Sequence, residues 1–539
     1  MTFRVACVGG GPGGLFFSTL LKRRMPEADV VLFERNQAAD AFGFGVVFSD
    51  ATLNAINEAD PVLRDGLRDH GKHWDSIEVW LKGQKRSFAG NGMAAIHRRT
   101  LLPLLQDRAA AAGVEMRFGH NVPSPLQLRD DFDVVVGADG ANSRTREDLA
   151  GHVGHTSESA TAKFIWFGTT HRFNGLTFIH RKSEFGNFAA HAYPISDDVS
   201  TFIVETDDET WRRAGLDAFD VTQPPGPSDE KTRRFLEELF AEDIDGGEVI
   251  ANNSRWGTFQ TRRTASWHHE NTVLLGDAVH TAHFSVGSGT KMAMEDAIVL
   301  AEEIAADTHN LSRAFAAYQA KRSPQVAKIQ NAARGGLSWW EHFGRYYDAF
   351  EPTQFAFHFF SRSIGIDKVA QRDPGLVDAA RSAWEEQHGF DALGTPLELG
   401  PARFSSREMV LEVQDGTPLR LTDATGTVVL SVTADPAAGD AGMAVVLQAP
   451  DKDSDVAAAA AALTSDPAAV VIPGGTSLTR VLLSEELRLG RGIPTVIVED
   501  NGGPAAETLV LSGRSDAVAV PVPVPAAIAA AVSVEASRG

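Results

Sequence analysis

The chain has 539 residues, 43% of them hydrophobic and 22% charged, a balance that excludes global disorder. Its 50 basic and 71 acidic residues give a formal net charge of −21, which argues against sequence-independent nucleic-acid binding and docking on anionic membranes. One cysteine, Cys7, excludes an internal disulfide and any multi-cysteine metal site.

No apolar run is long enough for a transmembrane helix. The first residues lead straight into a strand-like segment with no signal-peptide core, so the expected location is the cytoplasm. That segment, Phe3 to Val8, reads as a buried strand and runs into Gly9-Gly10-Gly11-Pro12-Gly13-Gly14. Gly9, Gly11 and Gly14 fit G-x-G-x-x-G between a strand and a predicted helix over Leu15 to Arg24. Gly9 permits the tight turn, Gly11 lets a pyrophosphate approach the backbone, and Gly14 lets helix and strand pack closely. A second predicted strand, Asp29 to Phe33, ends at Glu34 and Arg35. Glu34 is placed to accept hydrogen bonds from an adenosine ribose.

Phe42 to Asp50 reads as a glycine-flexed loop before a helix. Arg98 opens the helix predicted from Ile96 to Leu102. Asp133 to Gly137 is a buried strand that ends in the turn Asp139-Gly140. Alternating segments at Phe164 to Gly168, Phe188 to Tyr193 and Ser200 to Thr206 predict an antiparallel sheet. Val273 to Leu275 is another buried strand, followed by Gly276-Asp277, then Gly287-Ser288-Gly289 and a long helix from near Thr290. A carboxylate at a strand end suits a ribityl hydroxyl, and a glycine turn at a helix start suits a phosphate or carbonyl. Adjacent His268 and His269 read as loop. No histidine or carboxylate cluster has metal-ligand spacing, so no metal is expected.

From Pro396 onward the composition changes. The last 144 residues hold one aromatic, Phe404, and no Trp, Tyr or His. Chemistry that needs those side chains cannot come from this part.

The glycine fingerprint, the Asp-Gly turn and the Gly-Asp turn, in this order, resemble the group A flavoprotein monooxygenases of the para-hydroxybenzoate hydroxylase type. Phe284 stands where that family commonly has Pro, and Lys291 where it has Asn. These departures, with the 42–50 and 280–291 segments and the Trp339-Trp340 region, resemble the branch that hydroxylates salicylyl-CoA or 2-aminobenzoyl-CoA. The resemblance implies a mixed α/β (α+β) fold. A Rossmann-like FAD-binding domain (about 1–75, 95–160 and 265–310) interleaves with an antiparallel-sheet substrate domain (about 76–94 and 161–264), and a helical segment (311–390) closes it. The remainder, 396–539, is expected to be a small α/β domain, a shortened remnant of an old-yellow-enzyme-like barrel without catalytic groups or FMN. Removing it is expected to spare the flavin chemistry at a cost in solubility or assembly.

The implied activity is NAD(P)H-dependent hydroxylation of an electron-rich aromatic acyl-CoA by one oxygen of O2, through a flavin C4a-hydroperoxide. FAD is the resident cofactor and NADH or NADPH a transient co-substrate; a homodimer is compatible. The alternatives are a free aromatic acid, indole amino acid or carrier-bound substrate, and a non-catalytic flavin-binding protein. The implied FAD contacts are Gly9, Gly11, Pro12, Gly13, Gly14, Glu34, Arg35, Arg98, Asp139, Gly140, Gly276, Asp277, Gly287, Gly289, Thr290 and Lys291. His191, Tyr193 and His283 are the polar candidates for catalysis. Phe44, Val46, Phe188, Phe284 and Ser285 are the candidates for the substrate wall. His280 is expected to be a structural hydrogen-bonder.

Overall fold

The strand Arg4–Val8 is buried from Val5 onward and lies between Asp29–Phe33 and Val134–Gly137, parallel to both. This is the arrangement that short β-branched runs separated by helices favour. A computed structural model describes residues 2–41, 43–49, 53–223 and 226–524. It divides into two compact units between Gly344 and Arg345. Phe42 and Asp50 lie outside the described residues.

In the first unit a six-stranded sheet runs in the order His268–His269, Thr272–Leu274, Val134–Gly137, Arg4–Val8, Asp29–Phe33 and Glu115–Arg117. Its edge pair, His268–His269, is a strand rather than the expected loop and runs antiparallel. The helices Pro12–Arg24 and Gly289–Ala306 pack on each other and on this sheet, burying Leu15, Phe16, Leu20, Met294 and Leu300 in one core. Gly13 and Gly14 allow that approach. A Cβ on Gly13 would stand 3.0 Å from that of Ala293, and one on Gly14 would stand 2.1 Å from the Gly9 carbonyl oxygen.

The second sheet of this unit is largely antiparallel, as the alternating segments predict. Its strands run Val249–Ile250, His155–Thr169, Ser200–Thr206, Asn187–Pro194, Leu176–Lys182, Ile77–Leu81 and Gln84–Phe88, and Gly257–Thr264 also pairs with His155–Thr169. Most pairings are antiparallel; Leu176–Lys182 and Ile77–Leu81 run parallel. Side chains alternate between its faces. Ile165, Phe167, Ile179, Phe188, Phe202 and Val204 belong to one core cluster on one face. Phe164, Trp166, Phe178, His191, Tyr193 and Ile203 lie on the other and line a cavity.

The second unit contains the helices Pro352–Phe360, Ile366–Arg372 and Pro374–His388, the hairpin Leu397–Leu399 with Ala402–Phe404, and a closed barrel. The composition suggested a boundary near residue 390. The helices up to His388 instead cluster with the barrel. Among the described residues the barrel has seven strands, from Glu408–Gln414 to Ala517–Pro523. Thr417–Thr422 runs antiparallel to both neighbours and the remaining pairs are parallel. Helices follow the strands Ala444–Val446, Ala469–Ile472 and Thr495–Val498. So narrow a barrel leaves room for small inward side chains. Ala444, Ala469, Ala517 and Ala519 share its core with Val471, Val496 and Phe404, the aromatic residue of this part of the chain.

Candidate active site

Three cavities adjoin along the top of the parallel sheet. The largest, about 410 Å³, is walled by Phe164, Trp166, Phe178, Phe259 and Phe284 on the sheet side and by Gly287, Ser288, Gly289 and Thr290 at the start of the helix Gly289–Ala306. It shares Arg98 with a second cavity lined by Gly10, Gly11, Pro12 and Glu34, and Asn142 with a third lined by Gly9, Arg35, Asp139 and Gly140. The second and third share Gly11 and Glu34. Glycine fingerprint, Asp-Gly turn and Gly-Asp turn, distant in sequence, therefore open onto connected space at the C-terminal ends of parallel strands. That is where open α/β sheets bind ligands.

The groove suits an extended dinucleotide on its own evidence. The helices Pro12–Arg24 and Gly289–Ala306 both begin without a side-chain cap, at Gly11 and Ser288. A Cβ on Gly11, Gly140 or Gly289 would meet nothing within 4 Å. Uncapped N–H groups facing open space are sites for phosphate or carbonyl oxygens. Glu34 has a structural duty as well: Oε2 accepts from Gly10 N at 2.7 Å, and Oε1 accepts from Asn36 N at 2.8 Å. Asp139 is occupied likewise, accepting from Ser143 Oγ at 2.5 Å and Thr145 N at 2.9 Å, which fixes the turn that displays Gly140.

Asp277 opens into the large cavity. The enclosing protein limits its solvation and raises its carboxyl above the ordinary range, while His280, Arg98 and Arg262 pull it back. The turn that holds it is pinned from below. The buried Asp296 carboxylate lies 2.7 Å from His280 Nε2 and accepts from Gly276 N at 3.2 Å and from Arg322 Nε at 2.7 Å. His280 is thus the structural hydrogen-bonder expected. Arg146 adds a second tie, donating to the carbonyls of Ala278 at 3.0 Å and Ala141 at 2.8 Å, so the Asp-Gly and Gly-Asp turns are held together. Sequence reading gave neither Asp296 nor Arg146 a role.

Of the polar candidates, His191 and Tyr193 line the cavity. His283 is buried behind it, with Nδ1 2.8 Å from Ser285 Oγ, and Ser285 itself lines the cavity. Burial pushes the Tyr193 phenol up to about 12, so it stays protonated at neutral pH. One residue without an expected role joins them. Glu205 is 1% exposed, with Oε1 2.8 Å from His191 Nε2 and Oε2 3.9 Å from His283 Nε2. Burial pushes its carboxyl up to about 7; His283 opposes the shift and Glu341 adds to it. No local signal in the strand Ser200–Thr206 marks Glu205, because its neighbours His191 and His283 come from other segments.

The expected substrate wall needs correcting in part. Val46, Phe284 and Ser285 line the cavity. Phe188 faces the opposite side of the sheet, packed on Phe235 at 5.3 Å between ring centres. Phe44 is buried against Gly168. Among the expected cofactor contacts, Gly13, Gly14 and Gly276 are used for close packing. Lys291 pairs with Glu295 one helical turn on.

The sequence profile of a family described as "FAD binding domain" matches residues 2–333. The chain is 54% identical to a salicyloyl-CoA 5-hydroxylase of Streptomyces sp. over 520 residues, covering 96% of this chain and 99% of that one. It is 35% identical to a 3-hydroxy-4-methyl-anthranilyl-[aryl-carrier protein] 5-monooxygenase of Streptosporangium sibiricum, over 62% of this chain and 88% of that one. Among solved structures, 2-methyl-3-hydroxypyridine-5-carboxylic acid oxygenase superposes with a TM-score of 0.50 at 19% identity, over 67% of this chain and 98% of that one. P. aeruginosa PqsL in complex with 2-aminobenzoylacetate does so with a TM-score of 0.50 at 23% identity, over 65% of this chain and 99% of that one. These two likenesses concern the fold.

Proposed function

The chain belongs to the FAD-dependent aromatic monooxygenases, and we propose that it hydroxylates the ring of an aromatic acyl-CoA thioester, salicylyl-CoA or a close analogue such as 2-aminobenzoyl-CoA. The observation that carries this reading is an aromatic-walled cavity with a buried His191–Glu205 pair, in a chain similar over nearly its whole length to a salicyloyl-CoA hydroxylase.

FAD supplies the redox chemistry when bound: reduction by NADH or NADPH and activation of O2 as an electrophilic oxygen donor. Gly11, Glu34 and Arg35 would hold its ADP half, Arg98 and Asp277 its middle, and Gly287 to Thr290 its ring end. The chain's own residues do the rest. Phe164, Trp166, Phe178 and Phe284 provide apolar walls that orient the substrate ring and exclude water. Tyr193 lines the cavity with its phenol held protonated by burial, a group that would donate a hydrogen bond to the substrate. A hydroxyl or amino group on the ring directs the incoming oxygen to its para position, and His191 accepts that group's proton. The CoA moiety is too large for 410 Å³ and would remain outside, with the acyl ring alone enclosed.

The test is steady-state NAD(P)H oxidation by the FAD-loaded protein with salicylyl-CoA, 2-aminobenzoyl-CoA and the free acids. The expected result is stimulation by a thioester together with hydroxylated product. Stimulation by a free acid alone would replace the thioester reading, and an inert flavoprotein would support the non-catalytic one.

A further inference from the structure

Gln330 joins two segments that wall the large cavity. It projects from the helix Leu311–Ala349 and is 5% exposed. Its Nε2 donates to the carbonyl of Arg262 at 2.9 Å and to the carbonyl of Thr281 at 2.8 Å. The first carbonyl belongs to the strand Gly257–Thr264, the second to the connection between Asp277 and the helix Gly289–Ala306. Thr281 adds reciprocal ties. Its Oγ1 accepts from Arg262 N at 2.9 Å and donates to the Gln260 carbonyl at 2.6 Å, and its N–H reaches the Arg262 carbonyl at 3.3 Å. Among the described residues the strand Gly257–Thr264 has one ladder partner, His155–Thr169. Gln330 and Thr281 stand in for a second partner on its other edge.

Both segments carry cavity wall: Phe259, Gln260 and Arg262 from the strand, Ala282, Phe284 and Ser285 from the connection. The Phe284 ring centre lies 5.1 Å from that of Phe164 and 6.2 Å from that of Phe259, so any shift of the connection moves the aromatic wall. Ala282, Met292 and Ala333 also pack together behind it, with Ile329 against them. Apolar contact is non-directional, however, and the hydrogen bonds are what fix the register of the two walls.

We propose that Gln330 is a positioning residue: it lies behind the cavity wall, sets the gap between the strand and the connection, and so fixes the seat of the aromatic ring. This rests on the reading that a ring is hydroxylated in this cavity. Oxygen transfer needs the ring carbon close to the oxygen donor, and a misplacement of about 1 Å costs on the order of a hundredfold. Consumption of NAD(P)H does not carry that requirement. With the ring seated, one oxygen of O2 enters the ring and the other leaves as water. With the ring misplaced, the two electrons from NAD(P)H and two protons convert O2 to hydrogen peroxide instead. Loss of the Gln330 donors therefore uncouples the reaction without emptying the flavin site, since Arg262 and Thr281 lie outside both the glycine fingerprint and the Gly276-Asp277 turn.

The experiment measures product formed per NAD(P)H oxidised by the FAD-loaded protein with salicylyl-CoA. Gln330→Met keeps the side-chain length and removes both donors. The ratio should fall about threefold or more, with the difference recovered as hydrogen peroxide and the flavin content unchanged. The ratio does not depend on how much of the preparation is folded, so a purely structural role would leave it alone. Gln330→Glu is the partial rescue: a buried carboxyl facing two carbonyl oxygens keeps its proton and restores one of the two bonds, so the ratio should recover part of the way. Thr281→Val breaks the same joint from the other side and should uncouple too; it decides the question if Gln330→Met does not fold. An undiminished ratio in Gln330→Met or in Thr281→Val, or a Gln330→Glu ratio no better than that of Gln330→Met, would overturn the positioning role. No product from salicylyl-CoA with the unmodified enzyme overturns the hydroxylation reading and this role with it; product from the unmodified enzyme with full coupling in the variants overturns the role only.

Discussion

Arg322 donates from Nε to Asp296 Oδ1 at 2.7 Å, both side chains being at most 2% exposed. That pair links the helix Leu311–Ala349 to the helix Gly289–Ala306 and, through His280 and Gly276, to the turn that carries Asp277. Burial alone would raise the Asp296 carboxyl; His280 and Arg322 outweigh it and hold the carboxyl below the ordinary range. Asp296→Asn leaves a buried guanidinium without its full counter-charge, at a cost of about 3–5 kcal/mol. The expected outcome is a lower denaturation midpoint together with weaker FAD retention, read by urea unfolding and by the flavin absorbance of the purified protein.

Two glycines of the fingerprint should fail in different ways. A Cβ on Gly14 would lie 2.1 Å from the Gly9 carbonyl oxygen, so Gly14→Ala must move backbone and destabilise the unit. A Cβ on Gly11 meets nothing within 4 Å, so Gly11→Ala should cost less than about 1 kcal/mol of stability. It should nonetheless weaken FAD binding on the order of tenfold or more, because the methyl projects into the space assigned to the pyrophosphate. Thermal unfolding of the apoprotein and FAD titration separate the two effects.

The pH dependence has two opposed parts. His180 and His358 are buried and held down to about 3 and about 4 by desolvation. A depressed imidazole contributes stability that is present above its unfolded value near 6.5 and is lost as pH falls toward the folded value. Glu205 is raised to about 7, so its contribution is full below about 4.5 and is lost as pH rises through 7. Melting temperature should therefore fall below about pH 6. Above pH 7, Glu205→Gln should be more stable than the unmodified chain, by up to about 3 kcal/mol.

Phe188 and Phe284 test the face assignment. Phe188→Ala opens a hole in the core behind the sheet and should cost about 3–5 kcal/mol, with the substrate preference of the remaining folded enzyme unchanged. Phe284→Ala removes cavity wall. It should leave stability less affected and lower the yield of hydroxylated product per NAD(P)H, measured by coupling ratio.

Residues from 396 onward are expected to contribute no catalytic groups, with solubility or assembly as the property their removal costs. Within the second unit, however, His358 Nε2 lies 2.9 Å from Glu485 Oε1, Tyr346 donates to Glu485 Oε2 at 2.5 Å, and Arg381 pairs with Glu507 at 2.7 Å. A chain cut at residue 395 keeps the helices and loses those partners, leaving the buried Tyr346 and His358 side chains without Glu485. The expected product is an aggregating protein, seen by size exclusion. A soluble, FAD-loaded monomer would contradict this.

The glycine turns and the Asp-Gly and Gly-Asp motifs were legible because backbone conformation restricts them to few residue types: Gly9 has φ +114°, Gly140 +83° and Gly276 +63°. The face of Phe188 was legible too. Its number differs in parity from His191 and Tyr193 on the same strand, and strand period puts it on the other side. Glu205 was hidden because its partners His191 and His283 come from other segments, and a carboxylate in a strand carries no local mark of what it faces. Closure of the barrel was hidden for a related reason: parallel pairing of Glu408–Gln414 with Ala517–Pro523 joins segments about a hundred residues apart, beyond any local pattern.

The most direct measurement is mass analysis of the product formed from salicylyl-CoA and NAD(P)H by the FAD-loaded enzyme under ¹⁸O₂. The expected result is one labelled oxygen on the aromatic ring, para to the existing hydroxyl, with the thioester intact. An unlabelled product, or recovery of unmodified salicylyl-CoA while a free aromatic acid is hydroxylated, would contradict it.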